Sequence, residues 1–171
     1  MPRTRFSQIS SWMRFVNKDT RQERRENDKM APIRDVFLTF VKDCQKHYNP
    51  CSHLTVDEQL VPFRGKCPFR VFMKCKPAKY GIRIWILADV DTSYCKNLQV
   101  YLGKRGNAPE RDQEERVVLD MVSVLGPGYG ITTDNFFTSL ELDEELIDKK
   151  LTICGTLRRN KACIFPEFMP S

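Results

Sequence analysis

Apolar residues recur along the chain with periods that predict a mixed set of helices and strands. The longest helical pattern covers 31–48, where apolar side chains repeat at three- and four-residue steps before Asn49-Pro50 ends the run. The stripe consists of Ile33, Val36, Phe37, Phe40, Val41, Cys44 and Tyr48. A stripe of this width is typical of a helix that packs against a core, so we predict a structural role for it.

Residues 54–63 alternate between apolar and polar side chains, as expected of a strand with one buried face. Leu54, Val56 and Leu60 share one face, whereas Asp57 points to the other. Burying a carboxylate without a partner costs several kcal/mol. We therefore predict that Asp57 lies at a sheet edge, forms a salt bridge or holds a cation.

The rest of the chain predicts a hairpin followed by alternating helices and strands. The hairpin strands are predicted at 82–90 and 94–102. Asp89 and Asp91 are predicted to stabilise its turn, and the alternative is that one of them is a third metal-binding carboxylate. Helices at 116–125 and 139–150 alternate with strands at 129–134 and 151–157. This order predicts an α/β fold with a ribonuclease H-like mixed sheet, incomplete at its C-terminal end. In that arrangement the first strand lies beside the fourth, so Asp57 approaches Asp134.

Two carboxylates at neighbouring strands predict half of a divalent-metal site. Mg²⁺ prefers oxygen ligands, and two such ions can clamp an in-line displacement at phosphorus. We therefore predict Asp57 and Asp134 as metal ligands and catalytic residues, with a third acid further along the chain. The alternative is that both are structural, with Asp57 paired to Arg64 or Arg83.

The charge pattern adds a predicted nucleic-acid interface. The chain of 171 residues has 28 basic and 22 acidic side chains, a net charge of +6 that suits an acidic partner but also occurs in ordinary domains. Residues 64–83 contain seven basic side chains and no acidic one, interleaved with aromatic residues. The alternative is a basic hairpin that neutralises nearby acids. The predicted DNA-contacting residues are Arg64, Lys66, Arg70, Lys74, Lys76, Lys79, Arg158, Arg159 and Lys161.

Several features bear on compartment and domain limits. The chain has seven scattered cysteines, no signal peptide and no apolar run near the roughly 20 residues of a membrane span. These features predict a reducing compartment, cytosol or nucleus.

Residues 1–30 are predicted to form a basic, solvated arm or linker, and the alternative is a strap on DNA phosphates. The main domain is predicted at 31–166, and 167–171 is predicted to be a truncated tail.

A zinc site is a further alternative, because Cys44, His47, Cys51 and His53 fall within ten residues. Cys44 belongs to the apolar stripe and His47 projects from another side of the helix. A four-ligand site in so short a window would also be cramped. We therefore favour ordinary core and surface roles for these residues.

Four motifs, in order and with suitable gaps, resemble the transposase domain of the piggyBac family. They are LTVDEQLVPFRG at 54–65, KPAKYGI at 76–82, TDNFFTS at 133–139 and GTLRRNK at 155–161. The resemblance runs from about residue 12 to residue 166. It implies a ribonuclease H-like core that cuts and joins DNA ends with Mg²⁺ and three aspartates, the first two of which fall on Asp57 and Asp134.

The departures from the family pattern matter as well. The family's third catalytic aspartate lies beyond residue 171, and the cysteine-rich zinc module of many members is absent from this sequence. The resemblance implies double-stranded DNA as partner, a nuclear location and no membrane, and it leaves homodimerisation open. Two functions remain: a transposase catalytic domain that is inactive alone, or a domesticated, non-catalytic DNA-binding protein.

Overall fold

The computed structural model describes residues 1–103 and 113–158, which contain five helices and six strands. The helices are α1 (Arg3–Trp12), α2 (Lys18–Asn27), α3 (Arg34–Lys46), α4 (Gln113–Val122) and α5 (Leu140–Asp148). The strands are β1 (His53–Pro62), β2 (Arg70–Phe72), β3 (Tyr80–Asp89), β4 (Cys95–Val100), β5 (Gly130–Thr133) and β6 (Thr152–Gly155). The chain divides into two compact units, Met1–Lys42 and a second that begins at Asp43.

The first unit contains two short, polar helices where we predict a solvated arm. Local interactions account for them: Asn17 caps α2 by accepting a hydrogen bond from the Asp19 N–H at 3.0 Å. Asp28 accepts the Met30 N–H at 2.9 Å and pairs with Arg34, which holds the pKa of the Asp28 carboxyl below its ordinary value. Most side chains of α1 and α2 are exposed. The predicted limits 1–30, 31–166 and 167–171 stay a prediction.

Helix α3 buries only one side of the predicted apolar stripe. Val41 and Cys44 are buried, whereas Val36 and Phe40 are 46% and 55% exposed. The predicted stripe is therefore buried only in part. The reason is geometric. Val36 and Phe40 form one row along the helix, Val41 and Cys44 form the neighbouring row, and only the second row faces the packed side of the helix.

One mixed sheet confirms the predicted ribonuclease H-like topology. Its strand order is β2-β3-β1-β5-β6, and β4 also pairs with β3. β1 and β3 are antiparallel, as are β3 and β4, whereas β1–β5 and β5–β6 are parallel. The three-residue strand β2 was not predicted. It lies in the basic segment and pairs with Tyr80–Ile82 of β3.

Helices α4 and α5 share one hydrophobic core with the sheet. Leu54 and Val56 of β1 and Ile131 of β5 lie in this core and are at most 1% exposed. The face that includes Asp57 is exposed, as the alternation predicts. Ser139 caps α5 by accepting the Leu142 N–H at 3.1 Å. β5 ends at Thr133, so Asp134 is the first residue after the strand.

Candidate functional site

The parallel pairing of β1 with β5 brings Asp57 and Asp134 together. Val56 lies opposite Thr133 in the register, so the next residue of each segment is an aspartate. One carboxylate oxygen from each of Asp57, Asp134 and Glu58 lies within 4.8 Å of the other two. Two acids separated by 76 intervening residues thus meet at the end of β5. Asp57 and Asp134 are both exposed and accessible to an ion from solvent.

A tight turn after β5 fixes Asp134. Its Oδ1 accepts the Phe136 N–H at 2.9 Å, and its main-chain oxygen accepts the Phe137 N–H at 3.2 Å and the Thr138 hydroxyl at 2.7 Å. Because these contacts use Oδ1 and the backbone, Oδ2 accepts no hydrogen bond from the part of the chain that the structure describes. Asp57 is similar, since its Oδ1 accepts the Glu58 N–H at 2.7 Å.

The turn rests on a close approach between β5 and β6. The Thr138 hydroxyl donates to the Asp134 carbonyl, so the Thr133 hydroxyl donates to Thr138 across 2.8 Å. Gly155 lies opposite Thr133 in the parallel register. A Cβ at residue 155 would stand 2.9 Å from the Thr133 carbonyl oxygen and closer still to the Thr138 hydroxyl. Glycine at position 155 therefore leaves the space that the turn at residues 134–138 needs.

Glu58 carries a counter-ion of its own. The Lys76 Nζ lies 3.2 Å from a Glu58 carboxylate oxygen and 3.2 Å from the Glu58 carbonyl oxygen, to which it donates a hydrogen bond. The two side chains are 31% and 14% exposed, respectively. In contrast, neither Arg64 nor Arg83 forms an ion pair with Asp57 among the described residues, so the alternative in which they neutralise it has no support in the structure.

Aromatic rings and guanidinium groups surround the turn after Asp134. The Arg83 guanidinium carbon lies 5.3 Å from the centroids of the Trp85 and Phe136 rings and 5.6 Å from that of Tyr101. The Arg158 guanidinium contacts the same Phe136 ring at 5.5 Å. Cation–π contacts of this length are attractive and orient both groups. They hold two guanidinium groups against the ring of Phe136, which is the second residue after Asp134.

The predicted DNA-contacting residues have different environments. Lys76 is half-buried in the ion pair with Glu58, and Arg158 is exposed beside Phe136. Arg159 and Lys161 lie outside the described residues. The remaining predicted residues are exposed on β2 and its flanking turns: Arg64, Lys66, Arg70, Lys74 and Lys79.

Three contributors to the site escape sequence reasoning. Glu58 directly follows Asp57, and alternation alone gives no reason to place its carboxylate in the same site. Phe136 and Arg83 show their roles only through contacts between distant segments. The usable signal was the acidic pair at residues 57 and 58, whose carboxylate oxygens lie within 4.8 Å of each other although the two side chains leave the strand on opposite faces.

A second acidic group, Cys51, Asp89 and Asp91, is a poor candidate for metal binding. The buried Asp89 carboxylate already accepts hydrogen bonds from three backbone N–H groups and the Tyr48 hydroxyl. Burial, followed by the Asp89 charge, raises the pKa of the Cys51 thiol, which disfavours the thiolate that zinc requires. His47 does not join either acidic group within the described residues, so the zinc alternative has no support in the structure.

Comparison with a family model gives a match over nearly the whole chain. Residues 1–170 match the family described as Transposase IS4. The human PiggyBac transposable element-derived protein 3 is 27% identical over 139 residues, covering 78% of this chain and 23% of that protein. The human Chimeric ERCC6-PGBD3 protein has the same identity and is covered to 13%. The chain thus spans less than a quarter of the length of each of these relatives.

A solved structure extends the comparison to the fold. The cryo-EM structure of the piggyBac transposase synaptic complex with hairpin DNA superposes with a TM-score of 0.88 and 40% sequence identity. The match covers 98% of this chain and 35% of that one. These similarities confirm the predicted resemblance and the ribonuclease H-like fold. No helix in the described ranges is long and apolar enough to cross a membrane.

Proposed function

Because the chain belongs to the IS4-type transposase family, we propose that it forms part of a DNA-cutting and DNA-joining core whose metal ligands are Asp57 and Asp134. One observation carries the proposal: the β1–β5 register sets these two exposed aspartates side by side. The similar piggyBac transposase complex contains hairpin DNA, which supports double-stranded DNA as the partner. The site has the carboxylate chemistry that phosphoryl transfer needs.

The donor set fits Mg²⁺, because all three clustered side chains offer hard oxygen ligands and two of them are accessible. Bound Mg²⁺ would stabilise charge on the transferring phosphate and favour ionisation of the attacking hydroxyl. Asp57 and Asp134 would bind and orient it, with the turn 134–138 fixing Asp134. The resemblance implies a third carboxylate besides Asp57 and Asp134, so we expect these two residues by themselves to bind metal without supporting DNA cleavage.

Titration of the chain with Mn²⁺, followed by calorimetry, tests the metal site. We expect Asp57→Asn and Asp134→Asn each to weaken binding by roughly tenfold or more, because each removes one charged ligand. Asp148→Asn is the control, since it removes an exposed acid from α5. Absence of binding by the wild-type chain, or equal binding by all variants, would reject the metal site and favour the non-catalytic DNA-binding protein.

We also propose that the exposed basic side chains on β2 and its flanking turns contact DNA phosphates. Replacing Lys66, Lys74 and Lys79 together with Ala should reduce the slope of log affinity against log salt for duplex DNA by roughly 2–3, since each phosphate contact contributes about 0.9. Fluorescence anisotropy at four salt concentrations gives the slope. The matched control replaces three exposed lysines outside this segment, Lys42, Lys46 and Lys149. An equal change in both triple variants would mean that net charge alone drives binding.

The proposed substrate also bears on location and assembly. Action on chromosomal DNA would place the protein in the nucleus, and the net charge of +6 suits that environment. The similar structure is a transposase synaptic complex with hairpin DNA, and we propose that this chain also assembles on DNA as a homodimer. Sedimentation of the chain with and without duplex DNA tests whether a homodimer forms.

A further inference from the structure

A hydrogen-bonded turn places Lys76 beside Glu58. The Lys76 N–H donates to the Met73 carbonyl at 3.2 Å, and the Lys79 N–H donates to the Lys76 carbonyl at 3.0 Å. Pro77 restricts the backbone between them. The ammonium group then meets both the carboxylate and the carbonyl oxygen of Glu58. The two acceptors on Glu58 therefore fix the position of the Lys76 ammonium group.

This ion pair divides three clustered carboxylates into one that is neutralised and two that are accessible. The Glu58 side chain is 14% exposed, whereas Asp57 and Asp134 are exposed. A partly buried carboxylate needs a counter-charge, because it is poorly solvated. Lys76 supplies that charge with or without a metal ion. Among the described residues, the carboxylates of Asp57 and Asp134 accept hydrogen bonds only from backbone N–H groups.

We propose that Lys76 is a fixed counter-cation that withholds Glu58 from the divalent metal ion. The proposal rests on the proposed function, since it concerns the ion that Asp57 and Asp134 would bind. With Glu58 neutralised, the ion meets two charged ligands rather than three. Lys76 thus acts through Glu58 as a positioning residue and sets both the affinity and the number of open coordination positions.

The open positions have a use in phosphoryl transfer. Mg²⁺ in such sites binds one or two carboxylates and takes its other ligands from water and substrate phosphate. A third carboxylate from Glu58 would occupy a position that a phosphate oxygen or a further acid needs. The Lys76–Glu58 pair therefore favours a site that holds its metal ion weakly in the absence of substrate.

A four-chain cycle measured by Mn²⁺ calorimetry tests the proposal: wild type, Lys76→Gln, Glu58→Gln and the double variant. Lys76→Gln should tighten Mn²⁺ binding by about fivefold to tenfold, because an unpaired Glu58 adds a nearby negative charge. Glu58→Gln alone should weaken binding, since the lysine charge is then unopposed. The double variant should return to within about twofold of wild type, because the two charge changes cancel.

Lys74→Gln is the matched control, because it removes one exposed charge from the same segment. Mn²⁺ should also raise the melting temperature of Lys76→Gln by more than that of wild type. Equal affinities for Lys76→Gln and Lys74→Gln, even with a lower melting temperature for Lys76→Gln, would overturn the proposal and leave a structural ion pair. Wild-type binding that is insensitive to Asp57→Asn and Asp134→Asn would instead reject the metal site itself, and the proposal with it.

Discussion

Replacement of Asp89 with Asn lowers the melting temperature of the chain by roughly 5–10 °C, because a buried donor loses its acceptor. Asp89 is 1% exposed. Its Oδ1 accepts the N–H groups of Asp91 and Thr92, and its Oδ2 accepts the Cys51 N–H at 2.6 Å and the Tyr48 hydroxyl. In Asn, one of these positions becomes an NH₂ group, which cannot accept from a backbone N–H.

The same contacts make the stability of the chain depend on pH. The Cys51 N–H, together with the other donors, holds the pKa of the Asp89 carboxyl well below its ordinary value. Between the folded and unfolded pKa values the unfolded chain binds more protons, so stability falls as the pH falls. The contribution of the ionised Asp89 carboxylate to stability is complete above about pH 5 and is lost progressively below about pH 4. The difference between wild type and Asp89→Asn should therefore narrow at low pH.

Thermal unfolding from pH 3 to pH 7, followed by circular dichroism, measures both effects. Asp91→Asn is the control, because Asp91 is exposed and the backbone N–H that it gives to Asp89 is unchanged. We expect that control to lie within about 2 °C of wild type. Equal melting temperatures for both variants at pH 7 would show that Asp89 does not anchor the start of β1 to the β3–β4 turn.

The pairing of Asp57 with Asp134 could be predicted from sequence because it follows from topology. Three strands followed by alternating helices and strands leave few arrangements of the sheet, and the ribonuclease H-like one sets β1 beside β5. The alternation of Leu54 and Val56 then fixes which side of β1 is buried. Both inferences need only the order of the elements and the spacing of the apolar residues, and neither needs the contacts of individual side chains.

The Lys76–Glu58 pair is of the kind that the alternative of a basic hairpin neutralising nearby acids predicts, but its two partners could not be predicted from topology. Its partners come from a turn and a strand whose contact depends on the short strand β2, and a three-residue strand inside a basic segment has no periodic signal. Helices α1 and α2 were missed for a related reason, since their polar sequences carry little apolar periodicity.

Replacement of Gly155 with Ala should destabilise the chain by about 1–3 kcal/mol through overpacking. The added Cβ meets the Thr133 carbonyl oxygen at 2.9 Å, and backbone cannot turn aside as a flexible side chain can. It also meets the Thr138 hydroxyl, whose hydrogen bond to the Asp134 carbonyl closes the turn. Relief of the contact therefore moves the residue before Asp134, and Mn²⁺ binding should weaken together with stability.

Gly126→Ala separates this effect from the general cost of replacing a glycine. A Cβ at residue 126 meets nothing within 4 Å, so we expect stability equal to that of wild type or slightly higher. Gly81→Ala is a second reference, because its Cβ meets the Val61 carbonyl oxygen at the far end of β1. It should destabilise the fold while Mn²⁺ affinity, measured well below the melting temperature, stays unchanged. If Gly155→Ala matched Gly81→Ala in both measurements, the β5–β6 contact would not position Asp134.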